Sequence, residues 1–91
     1  MHYLDASVPI PTIPLTAGTW RSIAGALSLS ARELQFVQGV FRGDSERMIA
    51  DHLGISRHTV HTYSDRVYRK LHISGRTELV VRVFAEYLRL D

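Results

Sequence analysis

The sequence predicts an all-α fold of four helices, preceded by a Pro-rich N-terminal arm with the option of a short extra helix. Apolar residues recur at helical steps of three and four, hydroxyl-bearing residues stand in front of these runs, and glycines stand behind two of them. The chain has 91 residues, which suits one domain with a modest core of three to five helices. Residues 1–27 read as the arm and residues 28–91 as the helical domain.

Pro9, Pro11 and Pro14 oppose regular helix in the first fifteen residues, where no periodicity is visible. A short helix is expected from about Thr16 or Thr19 to Leu27, with Trp20, Ile23, Ala24 and Leu27 on its buried side. Ser30-Ala31-Arg32-Glu33 has the capping-box spacing, in which the serine and glutamate satisfy each other's free backbone donors. The helix behind it carries Leu34, Val37, Val40 and Phe41, and Gly43 ends it. Asp44 or Ser45 caps the next, short helix, which buries Ile49, Ala50 and Leu53.

From about Arg57 to Leu71 or His72, Val60, Tyr63, Val67 and Leu71 fall on one stripe. The opposite side holds His58, His61, Thr62, Asp65, Arg66 and Arg69. A last helix, capped by Thr77, runs to about Leu88 to Leu90. Its apolar residues cover more than half of its circumference, too broad a surface for one packing partner. A homodimer through Val81, Phe84, Tyr87 and Leu88 is the favoured way to cover it; the alternative is the N-terminal arm of the same chain, with Trp20.

Ile49-Ala50-Asp51-His52-Leu53-Gly54-Ile55-Ser56-Arg57-His58-Thr59-Val60 is the most informative stretch. Gly54 supplies the left-handed step that ends a helix, Ile55 plugs the corner, and Ser56 opens the next helix. Two helices joined by so short a turn make a helix-turn-helix, whose second helix commonly enters the DNA major groove. The formal net charge of +2 says little, but its distribution says more. Arg57, Arg66, Arg69, Lys70 and Arg76, with His58, His61 and His72, lie between Ser56 and Arg76 against one acid, Asp65. Such a concentration fits a polyanion binder, or a solvated helix face that happens to be basic.

These residues resemble the LuxR-type, or GerE-type, helix-turn-helix family of bacterial transcriptional regulators. The resemblance runs from Leu29 to Val80 through Leu29-Ser30 with Glu33, Gly43, Ile49-Ala50, Leu53-Gly54-Ile55-Ser56, Thr59-Val60, Lys70-Leu71 and Arg76-Thr77-Glu78-Leu79-Val80. Region four of sigma factors shares the middle pieces, and the closing piece counts against it. The resemblance implies a four-helix DNA-binding domain whose third helix enters the major groove and whose fourth forms a dimer contact. Carried over by position, it gives His61, Thr62 and Asp65 as base-reading residues, and Ser56, Arg57, Thr59, Arg69 and Lys70 as phosphate neighbours. By analogy, Arg76 and Glu33 are expected as an ion pair. The family often has a basic residue at position 61, a histidine at 63, a glycine at 72 and a basic or neutral residue at 65, where this chain has His61, Tyr63, His72 and Asp65.

Electrostatics adds Arg66 to the phosphate-neutralising set, and His58 is assigned there as well. Asp65 could accept a hydrogen bond from a cytosine amino group, but a pair with Arg69 or His61, four residues away, is the favoured reading. The histidines would make DNA binding depend on pH. His52, His58 and His61 lack the cysteines and carboxylate spacing of a metal site, so no metal or cofactor is expected. No nucleophile elbow or glycine-rich loop presents Ser, His and Asp to a pocket, so no enzyme is expected either.

No apolar run approaches a membrane span, no secretory signal is visible and cysteine is absent, which together suggest a cytoplasmic protein. Only 28 residues precede Leu29, which suggests a free-standing effector. The expected function is sequence-specific binding of double-stranded DNA by a homodimer, on half-sites about one helical turn apart, with RNA polymerase as a further partner. The alternative is an interaction module that keeps the fold but binds another regulator or RNA polymerase instead of DNA.

Overall fold

The computed structural model describes residues 15–90, all of whose regular structure is helical. The helices are α1 (Ala17–Leu27), α2 (Ala31–Phe41), α3 (Glu46–Leu53), α4 (Arg57–Leu71) and α5 (Arg76–Arg89). The Pro-rich part of the expected arm, residues 1–14, lies outside the described residues.

Hydroxyl caps start the first four helices. The side chains of Thr16, Ser30, Ser45 and Ser56 each accept from the backbone N–H three residues on, relieving a donor that has no partner inside the helix. At Ser30 the capping box is complete, with Glu33 accepting from the Ser30 N–H at 2.9 Å. Ser45, rather than Asp44, caps α3, and the buried Asp44 carboxylate instead accepts from Arg42 Nε at 3.0 Å. The expected cap at Thr77 does not form. Gly75 precedes α5 without a side-chain cap, Thr77 lies inside the first turn, and Glu78 reaches back to accept from the Ser74 N–H at 2.9 Å and from the Ser74 hydroxyl. These two donors hold the Glu78 carboxyl below the ordinary glutamate range.

One core joins all five helices. Ile23 from α1, Phe36 and Val37 from α2, Ile49 from α3, Val60 and Val67 from α4, and Leu79 and Val83 from α5 are fully buried in it. α4 packs across α2 and α3, and α5 packs on α1 and α2. The segment set apart by sequence as an arm thus contributes a helix to the domain itself, with Trp20 edge-on to Phe41 at 5.4 Å between ring centroids. Gly39 makes the α2–α3 approach feasible, because a Cβ there would sit 2.5 Å from Ile49 Cγ1.

Two arginines close the far side. Arg76 Nη1 donates to the Asp44 carbonyl at 2.7 Å, tying the start of α5 to the α2–α3 turn. Arg82 Nη1 donates to the Leu71 carbonyl at 3.1 Å, satisfying an acceptor that the end of α4 leaves free. The Glu33–Arg76 pair expected by analogy is therefore corrected. Arg76 binds a backbone carbonyl, and Glu33 takes Lys70 instead.

Candidate nucleic-acid interface

The α3–α4 corner follows from three residues. Gly54 is the C-cap of α3 at φ 67°, in the left-handed region that glycine enters at little cost. Ile55 is half-buried against the core, and its N–H donates to the Ala50 carbonyl at 3.1 Å. Ser56 Oγ accepts from the Thr59 N–H at 3.0 Å and lies 2.9 Å from the Thr59 hydroxyl. The turn sets α4 in packing contact with α3.

α4 is divided lengthwise. Val60, Ser64, Val67 and Leu71 are buried, so the expected stripe is confirmed with one change: Ser64 sits in the core and Tyr63 lies half-buried at its edge. On the opposite side His58, Thr62, Asp65 and Arg69 follow each other at steps of four, three and four, which lines them up along the outer surface. Thr62 is half-buried, with its hydroxyl donating to the His58 carbonyl at 3.2 Å; the other three are exposed. Arg57 and Arg66 are also exposed, and the Arg66 guanidinium lies 6.0 Å from the Tyr63 ring centroid. Ser56 and Thr59 are occupied in capping at the start of the helix.

His61 stands at the flank that faces α3. Its Nδ1 is 3.5 Å from Glu46 Oε2, and its Nε2 is 3.7 Å from Asp65 Oδ1. Asp65 thus lies beside His61, the partner favoured for it along with Arg69, and Arg69 forms no ion pair among the described residues. Glu46 escaped the sequence reading. It lies fifteen positions before His61, and only the corner between the helices brings the two together.

Lys70 differs from the arginines. Its ammonium donates to Glu33 Oε1 at 2.6 Å and to the Ser28 carbonyl at 2.7 Å. Burial pushes the Glu33 carboxyl up, but the hydrogen bonds from Lys70 and Ser30 and the charge of Lys70 outweigh it and hold the group below the ordinary glutamate range. The expected free cation at position 70 instead donates to acceptors on α2 and the α1–α2 turn, while its side chain stays partly solvated.

A second feature is the outer side of α5. Val81 and Leu88 are 62% and 64% exposed, and Val80 and Phe84 are exposed beside them. Tyr87 is half-buried and stacks on Phe84 with centroids 6.2 Å apart. α1 covers one side of α5 and leaves this stripe bare, so cover from Trp20 and its helix accounts for only part of the apolar circumference.

No helix of the described residues is long and apolar enough to cross a membrane. Comparison with curated proteins and with solved structures gives no match. Residues 27–83, more than half of the chain, match the GerE family model, described as bacterial regulatory proteins of the luxR family. The match takes in the capping box of α2, the α3–α4 corner and the first half of α5, and the chain belongs to the luxR family of bacterial regulatory proteins.

Proposed function

We propose that this regulator binds double-stranded DNA sequence-specifically, as a homodimer, with α4 in the major groove. The observation that carries this reading is the division of α4. Val60 and Val67 are fully buried while Arg57, Arg66 and Arg69 stand free on the other side, so the helix can be presented to a polyanion without disturbing the core. His61, Thr62 and Asp65 take the base edges, where donor and acceptor patterns distinguish base pairs. Ser56, Arg57, His58, Thr59, Arg66 and Arg69 take the phosphates. Lys70 belongs with the fold, since both of its hydrogen bonds go to protein acceptors.

The α5 stripe of Val81, Phe84, Tyr87 and Leu88 supplies the dimer contact. A two-fold axis there would set two copies of α4 toward successive turns of the groove. The protein acts on transcription in the bacterial cytoplasm.

Binding to a random-sequence duplex as a function of salt tests the reading. Affinity should fall steeply with salt, and Arg69→Ala should reduce the slope of log affinity against log salt by about one. Wild-type protein that fails to bind at low salt would instead support a module that contacts another regulator or RNA polymerase.

A further inference from the structure

We propose that Glu46 sets the charge of the DNA-facing surface through His61, so that DNA binding is coupled to uptake of a proton by that imidazole. The proposal rests on the DNA reading above and adds to it a residue and a dependence on conditions. His61 sits between two carboxylates on different helices, 3.5 Å from Glu46 of α3 and 3.7 Å from Asp65 of α4. A neutral imidazole carries one N–H, so it can face only one carboxylate with a donor and must turn a lone pair on the other. An imidazolium carries N–H on both nitrogens, so it turns one donor toward Glu46 while the other faces Asp65 or a base edge.

With His61 neutral, the Glu46, His61 and Asp65 cluster carries two negative charges; with His61 protonated, it carries one. Duplex DNA brings a dense row of phosphates against this surface, which raises the cost of the doubly negative form and favours the proton. The other charged groups on the adjoining turns are Arg57, His58, Arg66 and Arg69 on α4 and Arg47 on α3. All are exposed and form no ion pair among the described residues, so none replaces the imidazole between the two acids. The Asp65 contact alone is a one-turn helical pair of small effect. Glu46 turns it into a bridge between the two helices of the motif.

The experiment is the affinity of the full chain for a random-sequence duplex at fixed low salt, measured by fluorescence anisotropy in buffers from roughly pH 6 to pH 8, across the range in which histidine changes charge. Wild-type protein should bind about 3- to 10-fold more weakly at the upper end, as expected when up to one proton is taken up. His61→Asn keeps a polar side chain but cannot titrate, and its profile should be flatter. Glu46→Gln removes one of the negative charges, so it should bind more tightly than wild type at the upper end and also with a flatter profile. Circular dichroism checks that each variant is folded.

A flat wild-type profile overturns the proposal, as does either variant keeping the wild-type dependence. Salt-dependent binding without pH dependence defeats this inference alone. Failure of the wild type to bind at low salt at any pH defeats the DNA reading, and the inference with it.

Discussion

Lys70 Nζ lies 2.6 Å from Glu33 Oε1, clamping the last turn of α4 to the first turn of α2. The Glu33 residue is 5% exposed, whereas the lysine side chain keeps contact with water. Removing the ammonium leaves a buried carboxylate with the hydrogen bond from the Ser30 backbone N–H. Lys70→Met should therefore cost about 1–2 kcal/mol of stability, less than a fully buried pair because the lysine is partly solvated. Urea denaturation measures it, and an unchanged midpoint would refute the clamp.

The same pair predicts an acid response. The Glu33 carboxyl is held below its ordinary value in the folded chain, so its contribution is present above the unfolded value and is lost as pH falls through the folded one. Melting temperature should decline on acidification below the ordinary glutamate range. In Lys70→Met that decline should be shallower, since the Lys70 hydrogen bond and charge that help depress the carboxyl are gone. Thermal melts of both proteins from neutral to acidic pH compare the two slopes.

Gly39→Ala should destabilise the domain by about 1–3 kcal/mol, the usual cost of overpacking a tight contact. The new methyl would meet Ile49 Cγ1 at 2.5 Å and Cδ1 at 2.8 Å, and Ile49 is itself fully buried with little room to retreat. Gly25→Ala is the control, because a Cβ there meets nothing within 4 Å. Equal stabilities for the two variants would show that the α2–α3 contact is loose.

His72→Gly should stabilise the protein by about 0.5–1 kcal/mol. His72 ends α4 at φ 57°, a left-handed conformation that a side chain with a Cβ adopts at a cost. Glycine is also the residue often found here in the family. Equilibrium denaturation reads the change, and a loss of stability would mean that the imidazole makes a contact worth more than the strain.

Leu88→Glu and Val81→Glu should abolish self-association while leaving the monomer intact. Both side chains are more than half exposed, so a charge there changes monomer stability by no more than about 0.5 kcal/mol. Sedimentation equilibrium should show the proposed dimer in the wild type and association weakened at least ~10-fold in either variant, since a carboxylate would be buried without a partner. Dimers of undiminished affinity would place the contact elsewhere.

Much of this protein was legible one helix at a time. The caps at Ser30 and Ser56, the stop at Gly54 and the stripe of Val60, Val67 and Leu71 are local patterns, because a cap acts within one turn and a stripe follows from the 3.6-residue repeat. The same locality explains the misassigned cap at Thr77. A hydroxyl before an apolar run looks like a helix start, but the chain entered helix two residues earlier and let Glu78 reach back to Ser74.

The sequence by itself determined four of the helical segments and which side of α4 is apolar, and left α1 as an option within the arm. Only the tertiary structure decided the partners of the charged groups. Lys70 is expected at a phosphate and Arg76 at Glu33, yet Lys70 binds Glu33 across 37 positions and Arg76 the Asp44 carbonyl across 32. Glu46 meets His61 only because the corner at Gly54 folds α3 back beside α4. The reason is range: propensity, capping and periodicity act over a few residues, whereas a long charged side chain takes whichever acceptor the packed helices bring within 3–4 Å of it.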